Sequence, residues 1–439
     1  MKKQAVLAAS LLALTISGCS IFGKGDGPKT PTVGNRVPIL SSAAAVEVDP
    51  ATAAMQVVLP APVVNSGWTQ PGGNAEKAMG HLALGASLTP AWTASIAGNS
   101  KGEKMASAPV VDNGRLYAID VNAVVHAFDA NTGAKVWSTN IGSDRNRSSL
   151  FGGGVSVEGT SAYATSGLGD VAAINIADGS VLWKKTMSAP LRGSPTIFGG
   201  NVFVMTQDNQ LIALNQTNGE LQWQETASVE PGSIFGAAAP SAGQGTVVAG
   251  FSSGELNAYR YENGRNLWGD ALSRTSITTS VSTLVDVDAD PVIDRGRVYA
   301  IGQGGRMAAY ELVTGQRIWE LNIAGISTPW VAGEWVFVVT DDARLIAVAR
   351  STGKIRWISQ LPRYRDEEDK KGPIRWTGPV LAGNRLFLVS SAGAMAQVNA
   401  ADGSIASQMD MKEAASLSPV VANNMLYILD DSGRISAWR

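Results

Sequence analysis

An alanine, a glycine six residues later and a tryptophan four residues after that recur along this chain. The copies are Ala127/Gly133/Trp137, Ala173/Gly179/Trp183, Ala213/Gly219/Trp223, Ala258/Gly264/Trp268, Ala309/Gly315/Trp319 and Ala347/Gly353/Trp357. A degenerate copy reads Gln397/Gly403/Ser407, and the chain stops just after Ala437, partway into another. Successive tryptophans lie 46, 40, 45, 51 and 38 residues apart. A period of roughly 40–50 residues carried by strand-forming segments specifies a propeller, in which each repeat buries its faces only against its neighbours. The 439 residues are therefore not read as two or three independent domains.

Within a repeat the order of signals is constant. A small residue and a proline open an apolar strand, as in Ala108-Pro-Val-Val, Ser194-Pro-Thr-Ile and Ser418-Pro-Val-Val. Proline is tolerated at a strand's first residue, where no ladder hydrogen bond is lost. A Gly/Asn turn such as Gly199-Gly-Asn201 leads to a second strand, and the framed alanine lies on a third. A Thr-Gly or Asp-Gly turn then leads to an outer strand carrying the tryptophan. Opening strands begin near residues 109, 153, 195, 240, 291, 329, 379 and 419, but the last unit ends after its third strand. Ala91-Trp92-Thr-Ala-Ser95 has the character of the missing outer strand. The expectation is an all-β fold over residues 91–439: an eight-bladed β-propeller of four-stranded antiparallel blades, closed by N- and C-terminal strands sharing one blade.

The tryptophans Trp137, Trp183, Trp223, Trp268, Trp319 and Trp357 are expected to be structural, each burying on the order of 150–250 Å². In the seventh unit, Ser407 and Gln397 replace the tryptophan and its alanine together, as a coupled packing contact requires. A carbohydrate-binding tryptophan array is the functional alternative.

Lys2 and Lys3, the apolar run Ala5–Leu14 and Ile16-Ser-Gly-Cys19 read as a lipoprotein signal peptide over residues 1–18, with lipid attached to Cys19. Ser20 in place of an aspartate favours sorting to the outer membrane, with the chain on its periplasmic face. Cys19 is the only cysteine, so a disulfide framework is ruled out. Residues 19–36 are Gly/Pro-rich and read as a flexible tether. Residues 37–90 alternate apolar runs with Pro and Gly and read either as an extended strap along the propeller or as unfolded chain.

A formal charge of −2 gives no reason to expect nucleic acid or acidic substrates. Asp286-Val-Asp-Ala-Asp290 resembles the start of a calcium loop, but Pro291 stands where a glycine should turn the chain and Arg297 where a bidentate glutamate belongs. His81 and His126 are far apart in sequence, and no nucleophile–His–acid pattern or phosphate-binding glycine loop stands out. The residues call for no catalytic group, metal or cofactor.

The Ala-x₅-Gly-x₃-Trp frame resembles the tryptophan-docking repeat of the quinoprotein alcohol dehydrogenase propellers. That resemblance implies two classes: enzymes using pyrroloquinoline quinone and calcium, and non-enzymatic propellers typified by the BamB-like lipoproteins of the outer-membrane β-barrel assembly machine. The vicinal cysteine pair of the enzymes is missing, whereas signal, repeat and blade count fit the lipoproteins. The resemblance to BamB-like proteins implies a scaffold that docks on the periplasmic domains of a BamA-type subunit and helps deliver unfolded outer-membrane proteins. A periplasmic enzyme with a degenerate site, or a propeller that binds sugar or peptidoglycan, is the alternative.

Two blade-to-blade connections are long, Trp268 to Pro291 and Trp357 to Pro379, at 23 and 22 residues. Long loops on a rigid scaffold are where binding concentrates. The first contains Asp286 and Asp288, which resemble the aspartates of the BamA-contact region in BamB-like proteins or else bond turn amides. The family's neighbouring Leu–Arg element is expected to be missing, since Ser228-Val-Glu-Pro-Gly-Ser233 carries Glu230 and no arginine. In the second loop, Arg363, Tyr364 and Arg365 are the candidate contact residues, against the reading of a solvated charged loop.

Overall fold

The computed structural model describes residues 46–143, 150–228, 238–272 and 286–439. Cys19, the segment before it and the tether lie outside the described residues.

Eight four-stranded antiparallel sheets follow one another along the chain. In the third, Thr196–Phe198, Asn201–Met205, Gln210–Asn215 and Leu221–Thr226 run from the innermost strand outwards. Seven blades are continuous in sequence, spanning residues 110–140, 153–186, 196–226, 241–271, 292–321, 330–360 and 376–410. The eighth combines Val420–Ala422, Met425–Leu429 and Arg434–Trp438 with Pro90–Ser95 from the other end of the propeller. The two chain ends thus close the ring as the missing outer strand required. Blade seven opens at Trp376, three residues before the proline that marks the other openings, and extends its innermost strand to Ala382.

The burial pattern explains why each segment takes its place. Second and third strands, such as Val202 to Val204 and Leu211 to Leu214, are buried on both faces between neighbouring blades. Outer strands alternate, with Trp223 buried between the exposed Gln222 and Gln224.

Each framed tryptophan makes two contacts. Within its blade it lies opposite the framed alanine, as in Ala213↔Trp223 and Ala127↔Trp137. Its indole then docks on the glycine of the following blade. A Cβ on Gly219 would sit 2.6 Å from Trp183 Cε3, and φ there is +71°, so only glycine fits twice over. The indole N–H donates to the carbonyl three residues before that glycine: Trp137 to Ile176 at 2.9 Å, Trp183 to Gln216 at 3.1 Å, Trp223 to Tyr261 at 2.9 Å. Trp268, Trp319 and Trp357 repeat the bond to Leu312, Arg350 and Ala400. Trp92, on the closing strand, docks on Gly133 and donates to Ala130 at 3.0 Å. The ring also accounts for Ser407. Blade eight takes its outer strand from Pro90–Ser95, so no Gly turn joins its third strand to its outer strand and none is offered there to a blade-seven tryptophan.

Residues 46–89 lie against this ring. Val48 pairs in parallel with Ile355 on the outer strand of blade six, and Asp49 caps a single helical turn, Pro50–Ala53. Further on, the backbone meets the innermost strands in turn. Asn423 N donates to Asn65 O in blade eight, and Trp68 exchanges both backbone bonds with Val111 in blade one. Val157 N donates to Thr69 O in blade two, and Gln70 bonds both backbone groups of Ile197 in blade three. Ala242 N and Ile293 N donate to Ala75 O and Glu76 O in blades four and five. Trp330 Nε1 donates to Gly80 O in blade six at 2.7 Å, and Leu82 N donates to Leu381 O in blade seven. A segment this short can bond all eight innermost strands only by coiling around the propeller axis. It therefore fills the channel mouth on the face of the first turns of the blades. The Trp68 indole, 2% exposed, stacks on Trp330 from blade six with centroids 5.9 Å apart. His81 joins strap and ring: its Nε2 accepts from Asn384 N at 2.9 Å, which leaves Nδ1–H to donate to Pro60 O at 2.7 Å.

Candidate partner-docking site

In an antiparallel blade, the connection to the next blade and the loop between second and third strands emerge on one face. The strap occupies the other. On the connection face, Arg192 from the blade two–three connection meets Asp286 and Asp288 from the blade four–five connection. Its Nη2 donates to Asp286 Oδ1 and to Asp288 Oδ1, each at 3.0 Å. Contact between non-adjacent connections is possible only close to the axis, so the cluster lies at the channel mouth.

The surrounding backbone fixes Arg192. Arg192 N donates to Met205 O and Gly153 N to Arg192 O, both at 2.8 Å. Gly152, with φ +121°, passes so close that a Cβ would strike the Leu191 and Arg192 carbonyls. Phe151-Gly-Gly-Gly154, which replaces the opening proline in blade two, is thus the segment that lets this loop close. On the aspartate side, Gln303 N donates to Asp286 O at 2.9 Å and Gln303 Nε2 to Asp288 Oδ2 at 3.2 Å.

Arg192 and Asp286 are 1% and 2% exposed, and Asp288 is 13% exposed in its side chain. Burial pushes the Asp286 carboxyl up, and the guanidinium beside it pulls it back. The cation held by the carboxylates of the calcium-like sequence is a guanidinium. Of the two aspartates, Asp288 is the more exposed and Asp286 lies beneath the surface.

Sequence reasoning missed Arg192. It sought the Leu–Arg element in Ser228–Ser233, of which only Ser228 is described, and found none. The structure instead sets Arg192, which follows Leu191 in the blade two–three connection, against the aspartates. The signal that could have revealed it was the glycine run facing it. Arg363, Tyr364 and Arg365 lie elsewhere, in a small hairpin of Tyr364–Asp366 with Lys371–Pro373 in the blade six–seven connection. Glu367 Oε1 accepts from Arg363 N and Tyr364 N, Arg363 lies over the Tyr364 ring at 5.4 Å, and Arg365 Nη2 donates to Ser391 O. The hairpin shares the connection face but makes no described bond to the Arg192 cluster.

These features define the class: an eight-bladed propeller of tryptophan-docked, PQQ-type repeats with a charge cluster on its connection face. The profile of the family described as "Outer membrane protein assembly factor BamB" matches residues 89–146 and 121–359. The chain belongs to that family. Among its relatives, a BamB from Yersinia pestis is 28% identical over 359 residues, covering 80% of this chain and 89% of the relative. A BamB from Escherichia coli strain K12 is 27% identical over 353 residues, covering 79% and 88%. Among solved structures, BamB from Moraxella catarrhalis is similar with a TM-score of 0.68 at 21% identity, covering 80% of this chain and 100% of that one. Quinohemoprotein alcohol dehydrogenase from Comamonas testosteroni has a TM-score of 0.67 at 13% identity, covering 85% and 80%. At such identities these two structures show the fold alone.

Proposed function

We propose that this chain is a non-catalytic scaffold of the outer-membrane β-barrel assembly machine, held by lipid at Cys19 on the periplasmic face of the outer membrane. It docks on the periplasmic domains of the BamA-type subunit and assists folding and insertion of outer-membrane proteins. The observation that carries this reading is the Arg192–Asp286–Asp288 cluster, fixed from both sides at the channel mouth, in a chain whose relatives are named as assembly factors. A rigid, partly desolvated charge cluster gives a partner an orientation-specific anchor. Arg363, Tyr364 and Arg365 form a second contact element on the same face.

The test is affinity co-purification from the native cell envelope in mild detergent, with mass spectrometry of the partners. Wild type is compared with Asp288→Lys, whose melting temperature is checked, because Asp288 is the more exposed aspartate. Wild type is expected to recover a large barrel protein with periplasmic repeats, and the variant to recover at least about tenfold less of it. Recovery of no such partner by wild type would sink the reading. Equal recovery by both proteins would remove the cluster from it.

A further inference from the structure

The strap enters the ring at its rim and turns an apolar side to solvent. On the outer strand of blade six, Asp49 N donates to Ile355 O at 2.9 Å, and Arg356 Nε donates to Met55 O at 2.7 Å. The strap then crosses the first turn of blade six, where a Cβ on Gly333 would lie 3.0 Å from Pro60 Cδ. At blade seven, Val63 N donates to His81 O and Ala83 N to Val63 O, so the backbone is held on the strap's own return segment. Val57 and Leu59 are half-buried and pack on the core. Their neighbours face outwards. Met55, Val58, Val63 and Val64 are 52%, 67%, 63% and 56% exposed, and Pro60, Ala61 and Pro62 are exposed with them.

Single exposed apolar residues are ordinary, but these follow one another along ten residues of fixed backbone. A surface segment that met only water would carry polar residues on its outer side. Instead, no side chain from Pro50 to Ala75 is ionisable. Acidic groups beside the run are matched, Asp49 by Lys354 at 3.0 Å and Glu334 by Arg295 at 3.9 Å. A lipid surface can therefore approach without desolvating a lone carboxylate. The chain ahead of the strap supplies the proximity. Val46 follows Cys19 by 27 residues, and at most about 3.6 Å per residue keeps the strap within about 100 Å of lipid attached at Cys19. That tether makes strap contact intramolecular, so a patch too small to bind a bilayer alone still contributes.

We propose that the outward side of residues 55–64 is a lipid-contact surface, by which the strap rests on the phospholipid leaflet that holds the acyl chains of Cys19. The connection face, with Arg192 and Asp288, is then turned away from the bilayer and open to a periplasmic partner. This rests on the lipid anchor of the proposed function, and not on the identity of the partner.

Cys19 is the only cysteine, and acylation removes its thiol, so a substitution elsewhere gives the full lipidated chain a single labelling site. Val58→Cys, Val63→Cys and, in the exposed turn of the connection-face hairpin, Glu368→Cys are labelled with bimane. Each chain, its melting temperature checked, is reconstituted into vesicles of phosphatidylethanolamine and phosphatidylglycerol with or without doxyl-labelled lipid. Bimane at positions 58 and 63 is expected to be quenched at least about threefold more than at position 368. Equal quenching at all three positions overturns the proposal. So does shielding of positions 58 and 63 only after the barrel-forming subunit is added, which would assign the surface to a protein. Mass spectrometry of the purified chain reads the anchor separately: no lipid on Cys19 removes the anchor and the proposal together, whereas lipid without quenching overturns the proposal alone. Failure to co-purify a barrel protein removes the assembly reading and leaves the quenching result in force.

Discussion

At the residue scale, one glycine position does two jobs that other turn glycines do not. Gly219 combines φ +71° with an indole where a Cβ would sit, whereas Gly200 has φ +80° and nothing within 4 Å. Gly200→Ala should therefore carry only the left-handed strain, roughly 1–2 kcal/mol. Gly219→Ala adds displacement of Trp183 and should be clearly more destabilising in urea unfolding; equal midpoints would show that the docking contact is not tight. Trp223→Ala removes the indole, its bond to Tyr261 and its packing on Phe203, with an expected loss of about 3–5 kcal/mol. An unchanged unfolding midpoint would reopen a binding role for the tryptophans. Their spacing and burial were legible because the period repeats. That each indole serves the next blade was not, since sequence spacing reports neighbours along the chain and not around the ring.

At the element scale, polar side chains at the second-to-third strand turns fasten several of the blades. Asp120 Oδ1 accepts from Asn122 N at 2.8 Å and Val124 N at 3.0 Å, and its Oδ2 meets His126 Nε2 at 2.9 Å. Burial alone would raise its pKa, but the bonds from His126, Val124 and Asn122 outweigh it and hold the carboxyl below its ordinary value of 3.8. A lowered folded-state value contributes stability that is present above about pH 3.8 and lost as pH falls through the folded value. Asp120→Asn keeps the amide acceptor but loses the ionisable group, so the acid limb of its stability profile below that pH should be shallower than wild type. Superimposable acid limbs would show that Asp120 does not contribute there. Asp430 fastens blade eight in the same manner, accepting from Ser432 N and Arg434 N. Strands and turns of this kind are local and were readable from sequence. The blade-seven opening at Trp376 was not, because its early pairing with Ser390 is set by the partner strand.

At the scale of the whole molecule, closure is the decisive event. The strand Pro90–Ser95 pairs with Arg434–Trp438, and Trp92 fastens that blade to Gly133 of blade one. Removing residues 434–439 takes away the third strand of blade eight and the only described strand that pairs with the closing strand. The truncated chain should unfold less cooperatively and associate through its open edges, as measured by calorimetry and by light scattering after size exclusion. A monomer with wild-type cooperativity would mean that the strap and seven blades suffice to close the ring.

By itself the sequence determined the repeat, the blade count, the shared closing blade and the family resemblance, because these follow from local periodicity and from glycines and tryptophans at fixed spacing. Only the tertiary structure decided two matters: that residues 65–89 bond every blade, and that Arg192 is the partner of Asp286 and Asp288. Each joins residues dozens to hundreds of positions apart through contacts without a period, and such contacts exist only once the ring has closed and brought distant connections to a common axis.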